Sequence, residues 1–217
     1  MKNTIIAPSI LSCDFGRLHE EIQALESAGA DILHLDVMDG HYVPNLTFGV
    51  PIIKFIRQAT ELPLDVHLMV TNPSAYIDDL CSLGVNWISF HQDTEPHTHR
   101  LIHKIKDLGI NAGIAVNPAI GLTTLESIIC DLDYVLLMSV NPGFSGQQFI
   151  ENTIKKTQLL KAIINDNHLN TYIEVDGGVN ATNAKHLIDA GADILVSASY
   201  IFSHSEYSEP IRRLKHV

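Results

Sequence analysis

Short apolar runs alternate with amphipathic segments along the whole chain. Segment 15–29 places Leu18, Ile22 and Leu25 on one helical face and ends at Gly29, a residue typical of helix C-termini. The apolar runs have the length of buried strands, and they cover residues 4–9, 31–37, 62–69, 86–91, 111–117, 133–140, 171–178 and 193–199.

The short turns that lead from a helix into the next strand share a repeated sequence pattern. The sequence AGADIL occurs at 28–33 and again at 190–195, and LGVNWI (83–88) and LGINAG (108–113) have the same order of helix end, glycine, polar residue and strand. This is the short turn that leads from a helix into a strand. With seven helical segments between the strands and a last one at 206–215, the pattern predicts a single α/β domain over residues 1–217, a (β/α)₈ TIM barrel. A doubly wound open sheet is the alternative, but no G-x-G-x-x-G follows the first strand.

Alternation along each strand predicts which side chains face the barrel interior. In 31–38 the aliphatic Leu33, Leu35 and Val37 share one side, which we expect to pack against the outer helices. The other side carries His34 and Asp36. The same parity turns a set of polar residues inward, most of them near the carboxyl ends of strands: Ser9, His34, Asp36, Asp65, His67, Ser89, His91, Asn117, Glu174 and Asp176. Active sites of this fold lie at that end.

Four of the inward residues suggest a metal site. A buried imidazole or carboxylate is costly unless it finds a partner, and His34, Asp36, His67 and Asp176 converge from strands two, three and seven. Mixed nitrogen and oxygen ligands suit Zn²⁺, Fe²⁺, Mn²⁺ or Co²⁺. The alternative is that each is a hydrogen-bonded interior polar group. Because all four residues converge, we favour a shared metal ion over four separate hydrogen-bonded groups.

Three turns rich in small residues follow strands six to eight. They are NPGFSGQQF (141–149), DGGVNATN (176–183) and SASY (197–200). Glycines let the backbone approach a ligand closely, and the loops after the last strands commonly form the phosphate site of these barrels. The sequence therefore predicts a phosphate pocket opposite the His/Asp group.

Composition excludes several classes of partner. The 217-residue chain has a net charge of −11, so neither a nucleic acid nor an anionic membrane is an expected partner, although one small anion remains compatible. Its three cysteines form no C-x-x-C, which fits a reducing compartment. No signal peptide and no run of transmembrane length is apparent, and we expect a cytoplasmic protein.

Several longer motifs resemble the ribulose-phosphate 3-epimerase family. They are APSILSCDF, LHLDVMDGHYVPNLTFG, LDVHLMV, NPA, MSVNPGFSGQQF and EVDGG, and together they span nearly the whole chain. The resemblance implies a (β/α)₈ barrel, one bound divalent metal ion (Zn²⁺ favoured) and interconversion of D-ribulose 5-phosphate and D-xylulose 5-phosphate in the pentose phosphate pathway. By the same analogy we expect a homo-oligomer.

The resemblance also implies roles for individual residues. The metal ligands would be His34, Asp36, His67 and Asp176, with Asp36 and Asp176 also acting as the acid/base pair. The substrate contacts would come from Ser9, His67, Gly143, Phe144, Ser145, Gly146, Gly177, Gly178, Ala198 and Ser199. By parity Met38, Met69 and Met138 point inward, either lining the reaction intermediate or simply filling the core.

Two positions depart from the family pattern. The last turn usually reads Gly-Ser but here is Ala198-Ser199, and a methyl group would crowd a phosphate oxygen if that turn needs a positive φ. After strand four, His-x-Glu is replaced by His91-Gln92-Asp93, which shortens a side chain near the mouth.

Inversion at C3 of a 2-ketose phosphate requires two groups on opposite faces of the substrate. One carboxyl removes a proton, the other delivers one, and a Lewis acid stabilises the ene-diolate between the two steps. The alternatives are a 3-epimerase of a related phosphoketose such as a hexulose 6-phosphate, and a non-catalytic barrel that binds a metal or sugar phosphate. A Schiff-base aldolase is disfavoured because Lys54, Lys104, Lys106 and Lys161 fall in helical segments.

Overall fold

Eight parallel strands form the centre of the molecule in a computed structural model that describes residues 4–216. The strands are β1 (Ile5–Pro8), β2 (Leu33–Met38), β3 (Leu64–Met69), β4 (Trp87–His91), β5 (Asn111–Val116), β6 (Tyr134–Met138), β7 (Tyr172–Asp176) and β8 (Ile194–Ser197). Neighbours in sequence pair from β2 through β8, and β8 pairs with β1. A parallel bridge between Ser9 and His34 joins β1 to β2 and completes the barrel. The predicted (β/α)₈ barrel is confirmed.

The outer layer consists of helices and short 3₁₀ turns. The α-helices are α1 (Leu18–Ser27), α2 (Val50–Ala59), α3 (Ile77–Ser82), α4 (Thr98–Asp107), α5 (Asn152–Asp166), α6 (Ala184–Ala190), α7 (Ser199–Phe202) and α8 (Ser208–Lys215). Among residues 4–216, no helix is both long and apolar enough to cross a membrane.

One connection differs from the sequence prediction. Between β5 and β6 the chain forms only two 3₁₀ helices, Leu122–Leu125 and Ile129–Asp131, so the expectation of a regular helical segment in every connection is wrong there. β-Branched residues at 123, 124, 128 and 129 disfavour an α-helix in this stretch. Its apolar side chains are still buried in the core, so the barrel remains covered.

The barrel walls separate two kinds of packing. Leu33, Leu35 and Val37 belong to the large apolar cluster that the strands share with the outer helices. Inside the barrel, smaller clusters contain residues such as Ile32 and Tyr134. The predicted parity of β2 is therefore confirmed, and it turns the polar residues of the same strand into the interior.

Candidate active site

The four predicted ligands come together at the carboxyl end of the barrel. Each of His34, Asp36, His67 and Asp176 offers one ligand atom, and these atoms all lie within 4.8 Å of one another. His34 Nε2 is 3.4 Å and His67 Nδ1 3.3 Å from the same oxygen, Asp36 Oδ1. Ser9 donates its hydroxyl to the other oxygen, Asp36 Oδ2, at 2.6 Å.

The donor set fits a divalent cation. His34 Nε2 is buried, and it has no hydrogen-bond partner among the described residues. Leaving a buried polar atom unpaired costs about 1–3 kcal/mol, which a metal–nitrogen bond would offset. Two imidazoles and two carboxylates at these separations could hold one divalent ion.

A group of buried side chains beneath the four residues orients the His34 ring. Asp65 Oδ2 lies 2.5 Å from His34 Nδ1, and Tyr134 donates its hydroxyl to Asp65 Oδ1 at 3.0 Å. Glu174 Oε1 lies 3.5 Å from the same ring nitrogen. A carboxylate that holds Nδ1 fixes the tautomer and turns Nε2 toward the site, as in many metal-binding histidines.

A second imidazole supports His67. The Nε2 atoms of His67 and His91 lie 2.9 Å apart, so one ring donates and the other accepts. Burial lowers the pKa of both histidines, which favours the neutral forms that such a bond requires. The ring of Tyr42 lies 4.7 Å from that of His91, and its hydroxyl reaches Asp93 Oδ1 at 3.3 Å. Asp93, which stands where the family pattern has the longer glutamate, therefore contacts Tyr42 in the loop that follows β2.

The two catalytic candidates differ in their affinity for a proton. Burial raises the pKa of both carboxyls, but for Asp36 the positive charge of His34 and the hydrogen bond from His67 outweigh it and hold the pKa well below its usual range. Burial and then the charge of Asp36 raise the pKa of Asp176 to about 7. Carboxyl pairs whose pKa values are pushed apart are suited to opposite acid and base roles. A bound cation would favour the ionised form of both.

A pocket of about 500 Å³, including open space at its mouth, lies directly over this cluster. His67 is fully buried and does not line this pocket, whereas the other predicted substrate contacts do: Ser9, Gly143, Phe144, Ser145, Gly146, Gly177, Gly178, Ala198 and Ser199. Met38, Met69 and Met138 also line it, and each is at most 3% exposed.

Two consecutive glycines shape the turn after β7. Gly177 and Gly178 have φ values of +119° and +66°, which strain other residues. A Cβ atom on Gly177 would lie 2.5 Å from a Val140 methyl carbon, so the turn has no room for a side chain. Ser139 donates its hydroxyl to the carbonyl oxygens of Asp176 and Gly177, at 2.8 and 2.6 Å.

The turn after β8, where Ala198 replaces the glycine of the family pattern, does not have the positive φ that would strain an alanine. Ala198 has φ −111°, a value that any L-residue can adopt, so the positive φ that would make its methyl group a problem is absent at this position. Ala198 and Ser199 both face the pocket.

Sequence reasoning gave no role to several supporting residues. Asp65 and Glu174 were detectable, because each lies two positions before a predicted ligand and shares its inward parity. Tyr42 and Ser139 lie in connecting segments, where no periodicity indicates the direction of a side chain.

Fold and site together define a class of protein. A (β/α)₈ barrel with ionisable residues at the carboxyl ends of its strands, and glycine-rich turns after β6 and β7, has the architecture of barrel enzymes that bind phosphorylated small molecules. Comparison with known proteins narrows this class.

The family model described as the ribulose-phosphate 3 epimerase family matches residues 5–202. The chain is 46% identical over 211 residues to ribulose-phosphate 3-epimerase of Aquifex aeolicus, covering 97% of this chain and 95% of that protein. It is 43% identical over 216 residues to the Escherichia coli protein of the same name, covering 99% and 96%. The chain belongs to the ribulose-phosphate 3-epimerase family.

Solved structures with low sequence identity share the fold. A mutant tryptophan synthase α-subunit from Pyrococcus furiosus superposes with a TM-score of 0.71 at 16% identity, covering all of both chains. Thiamine phosphate pyrophosphorylase from the same organism gives 0.62 at 17% identity, covering 98% of this chain and 94% of that one. At these identities the likeness concerns the barrel alone.

Proposed function

We propose that this chain interconverts D-ribulose 5-phosphate and D-xylulose 5-phosphate by proton transfer at C3, as part of the pentose phosphate pathway. The observation that carries the proposal is the placement of Asp36 and Asp176 in one pocket. They come from β2 and β7, which β1 and β8 separate around the barrel, so the two carboxyls approach a bound molecule from different directions. Membership of the epimerase family supports the substrate.

Different groups in the pocket would bind the two parts of a sugar phosphate. Backbone N–H groups in the turns at Gly143–Gly146, Gly177–Gly178 and Ala198–Ser199 would bind the phosphate, since glycine-rich turns allow close approach of an anion. Ser9, which is hydrogen-bonded to Asp36, would contact the sugar next to its carbonyl group.

Proton transfer then uses the two carboxyls in turn. In one direction Asp36 removes the C3 proton as a carboxylate while Asp176 delivers a proton to the opposite face, and in the reverse direction the roles exchange. Between these steps the substrate is an ene-diolate. The side chains of Met38, Met69 and Met138 would exclude water from it, because they present apolar surface to the pocket.

His34, Asp36, His67 and Asp176 would hold one divalent ion, with Zn²⁺ first and Fe²⁺, Mn²⁺ or Co²⁺ as alternatives. When bound, such an ion supplies Lewis-acid stabilisation of the negative charge that develops on the substrate oxygens. We further propose that residues 1–217 form one catalytic domain, that the protein is cytoplasmic, and that it forms a homo-oligomer.

Substitution of each carboxyl separately tests the mechanism. Asp36→Asn and Asp176→Asn should each lower the epimerisation rate about 10²–10⁴-fold, the usual contribution of a general acid or base. Each variant should still exchange the C3 proton of only one epimer with solvent, because one base remains. Asp189→Asn, at an exposed position on α6, is the matched control.

Epimerisation and exchange near the wild-type rate in Asp176→Asn would refute the two-carboxylate assignment. A panel that includes a hexulose 6-phosphate tests the substrate, and a higher kcat/KM for that sugar would favour the alternative phosphoketose. Absence of turnover on every ketose phosphate, with metal bound, would instead indicate a binding barrel.

A further inference from the structure

A second group of metal-ligating side chains lies on the outside of the barrel. His99 and His103 are one helical turn apart on α4, and both rings face Asp131, the last residue of the 3₁₀ helix that precedes β6. We call these three residues the α4 cluster. Asp131 precedes the first residue of β6 by three positions, which places the cluster toward the amino-terminal ends of the strands, away from the pocket.

The α4 cluster offers one ligand atom from each of its three residues, and these atoms all lie within 4.8 Å of one another. His99 Nε2 is 3.7 Å from Asp131 Oδ2, and His103 Nε2 is 3.4 Å from Asp131 Oδ1. The two imidazole rings have centroids 4.4 Å apart. Around a tetrahedral Zn²⁺ with bonds of about 2.1 Å, ligand atoms lie about 3.4 Å from one another, so small rotations of these side chains would complete the geometry.

The backbone beneath the cluster is well fixed. The Asp131 N–H donates to the Ile128 carbonyl oxygen at 2.9 Å, and Lys106 donates its ammonium to the Asp131 carbonyl oxygen at 2.7 Å. The same ammonium lies 3.0 Å from Asp133 Oδ1, so its charge already has a carboxylate partner. The carboxylate of Asp131 remains directed at the two histidines.

The spacing of the histidines is suited to a metal rather than to two ion pairs. Imidazoles at i and i+4 on a helix are a recurrent zinc-binding arrangement when a carboxylate supplies a third ligand. Two protonated rings at this separation would repel each other, whereas two neutral rings can share one cation. Both histidines are at least 47% exposed, so an ion can reach them from solvent and keep water as its fourth ligand.

The geometry points to a second divalent metal site, separate from the pocket, in which His99, His103 and Asp131 bind Zn²⁺ or a similar nitrogen-preferring ion such as Ni²⁺ or Cu²⁺. The ion would tie α4 to the β5–β6 connection, the one without an α-helix among the described residues. Because binding favours the folded state, occupancy of this site should raise the thermal stability of the protein.

Metal analysis of the intact holoenzyme tests this site. Protein whose pocket is already loaded with Zn²⁺ is dialysed against a zinc buffer in the low micromolar range, and bound zinc per chain is measured together with Tm. Wild type and His186→Ala, a control at an exposed histidine on α6, should bind two ions. His99→Ala and His103→Ala should bind one, lose the zinc-dependent rise in Tm and keep wild-type epimerase activity.

A single ion in wild-type protein that both His99→Ala and His103→Ala retain would overturn the proposal. So would two ions in both His99→Ala and His103→Ala, since the second ion would then lie elsewhere. Asp131→Asn is an independent third variant that keeps the size of the side chain, and retention of the second ion in it would overturn the proposed three-ligand site. If the pocket bound no metal, every ion count would fall by one, and the expected difference of one ion between wild type and the histidine variants would remain, so this result does not depend on the proposed reaction.

Discussion

Two adjacent residues of β2 should respond differently to truncation, because their side chains lie on opposite sides of the barrel wall. Leu35 is fully buried in the apolar layer between strands and helices, whereas His34 is fully buried among the predicted ligands. Leu35→Ala should therefore reduce stability and leave metal binding intact. His34→Ala should abolish metal binding and activity together.

The cost of Leu35→Ala follows from its burial. Removing a buried leucine side chain down to Cβ loses its transfer free energy and leaves a cavity, and such changes cost about 2–5 kcal/mol. The Leu35 side chain has 0% exposure and belongs to the apolar cluster that the strands share with the outer helices, so the site has little freedom to collapse. We expect about 3 kcal/mol, which lowers Tm by about 6–12 °C in a chain of this size.

Urea unfolding at equal metal concentration measures the free energy of unfolding of each variant. Metal analysis and a coupled epimerase assay measure whether each variant keeps its metal ion and its activity. The reasoning would be refuted if Leu35→Ala cost less than about 1 kcal/mol. It would equally fail if Leu35→Ala released the metal under native conditions, or if His34→Ala kept both metal and activity.

Three further predictions concern packing, pH and thiol reactivity. Gly113→Ala places a Cβ atom 2.4 Å from the buried Tyr134 ring and should cost about 1–3 kcal/mol in urea unfolding. Asp39 has a lowered pKa because hydrogen bonds outweigh its burial, so its contribution to stability is present above its unfolded pKa of about 3.9 and is lost as pH falls through the lower folded value. The stability difference between wild type and Asp39→Asn should therefore shrink in acid. A thiol reagent should label exposed Cys130 in the native protein, and Cys13 only on unfolding, because burial, with help from nearby carboxylates, raises the Cys13 pKa to about 12.

Each of these three has its own contradicting result. Gly121→Ala is the packing control, because Gly121 has an ordinary φ and a Cβ atom there would meet only Thr123 Oγ1, at an ordinary contact distance of 3.6 Å. An equal loss in both variants would argue against overpacking at Gly113. If the stability difference between wild type and Asp39→Asn did not change with pH, ionisation of Asp39 would not be its cause. Equal labelling rates for Cys13 and Cys130 in native protein would contradict the burial of Cys13.

The strands and the four predicted ligands could be located from local patterns in the chain. Alternation in β2 separated Leu35 from His34 and Asp36, because a pleated strand sends neighbouring side chains to opposite faces. The turn after β7 was equally visible, since consecutive glycines mark a backbone that other residues cannot follow. The missing α-helix between β5 and β6 was not predicted, because apolar spacing there is compatible with short 3₁₀ turns as well.

The sequence by itself determined the order of strands and helices, the inward face of each strand and the chemistry available at the mouth, since these follow from local periodicity and residue type. Only the tertiary structure decided which side chains meet. The contacts of Asp65 with His34 and of His91 with His67 join residues from different strands. The α4 cluster likewise joins a helix to a turn 28 or more residues further along the chain. Such contacts depend on the closure of the barrel, which brings distant segments within ångströms, and no local pattern encodes those distances.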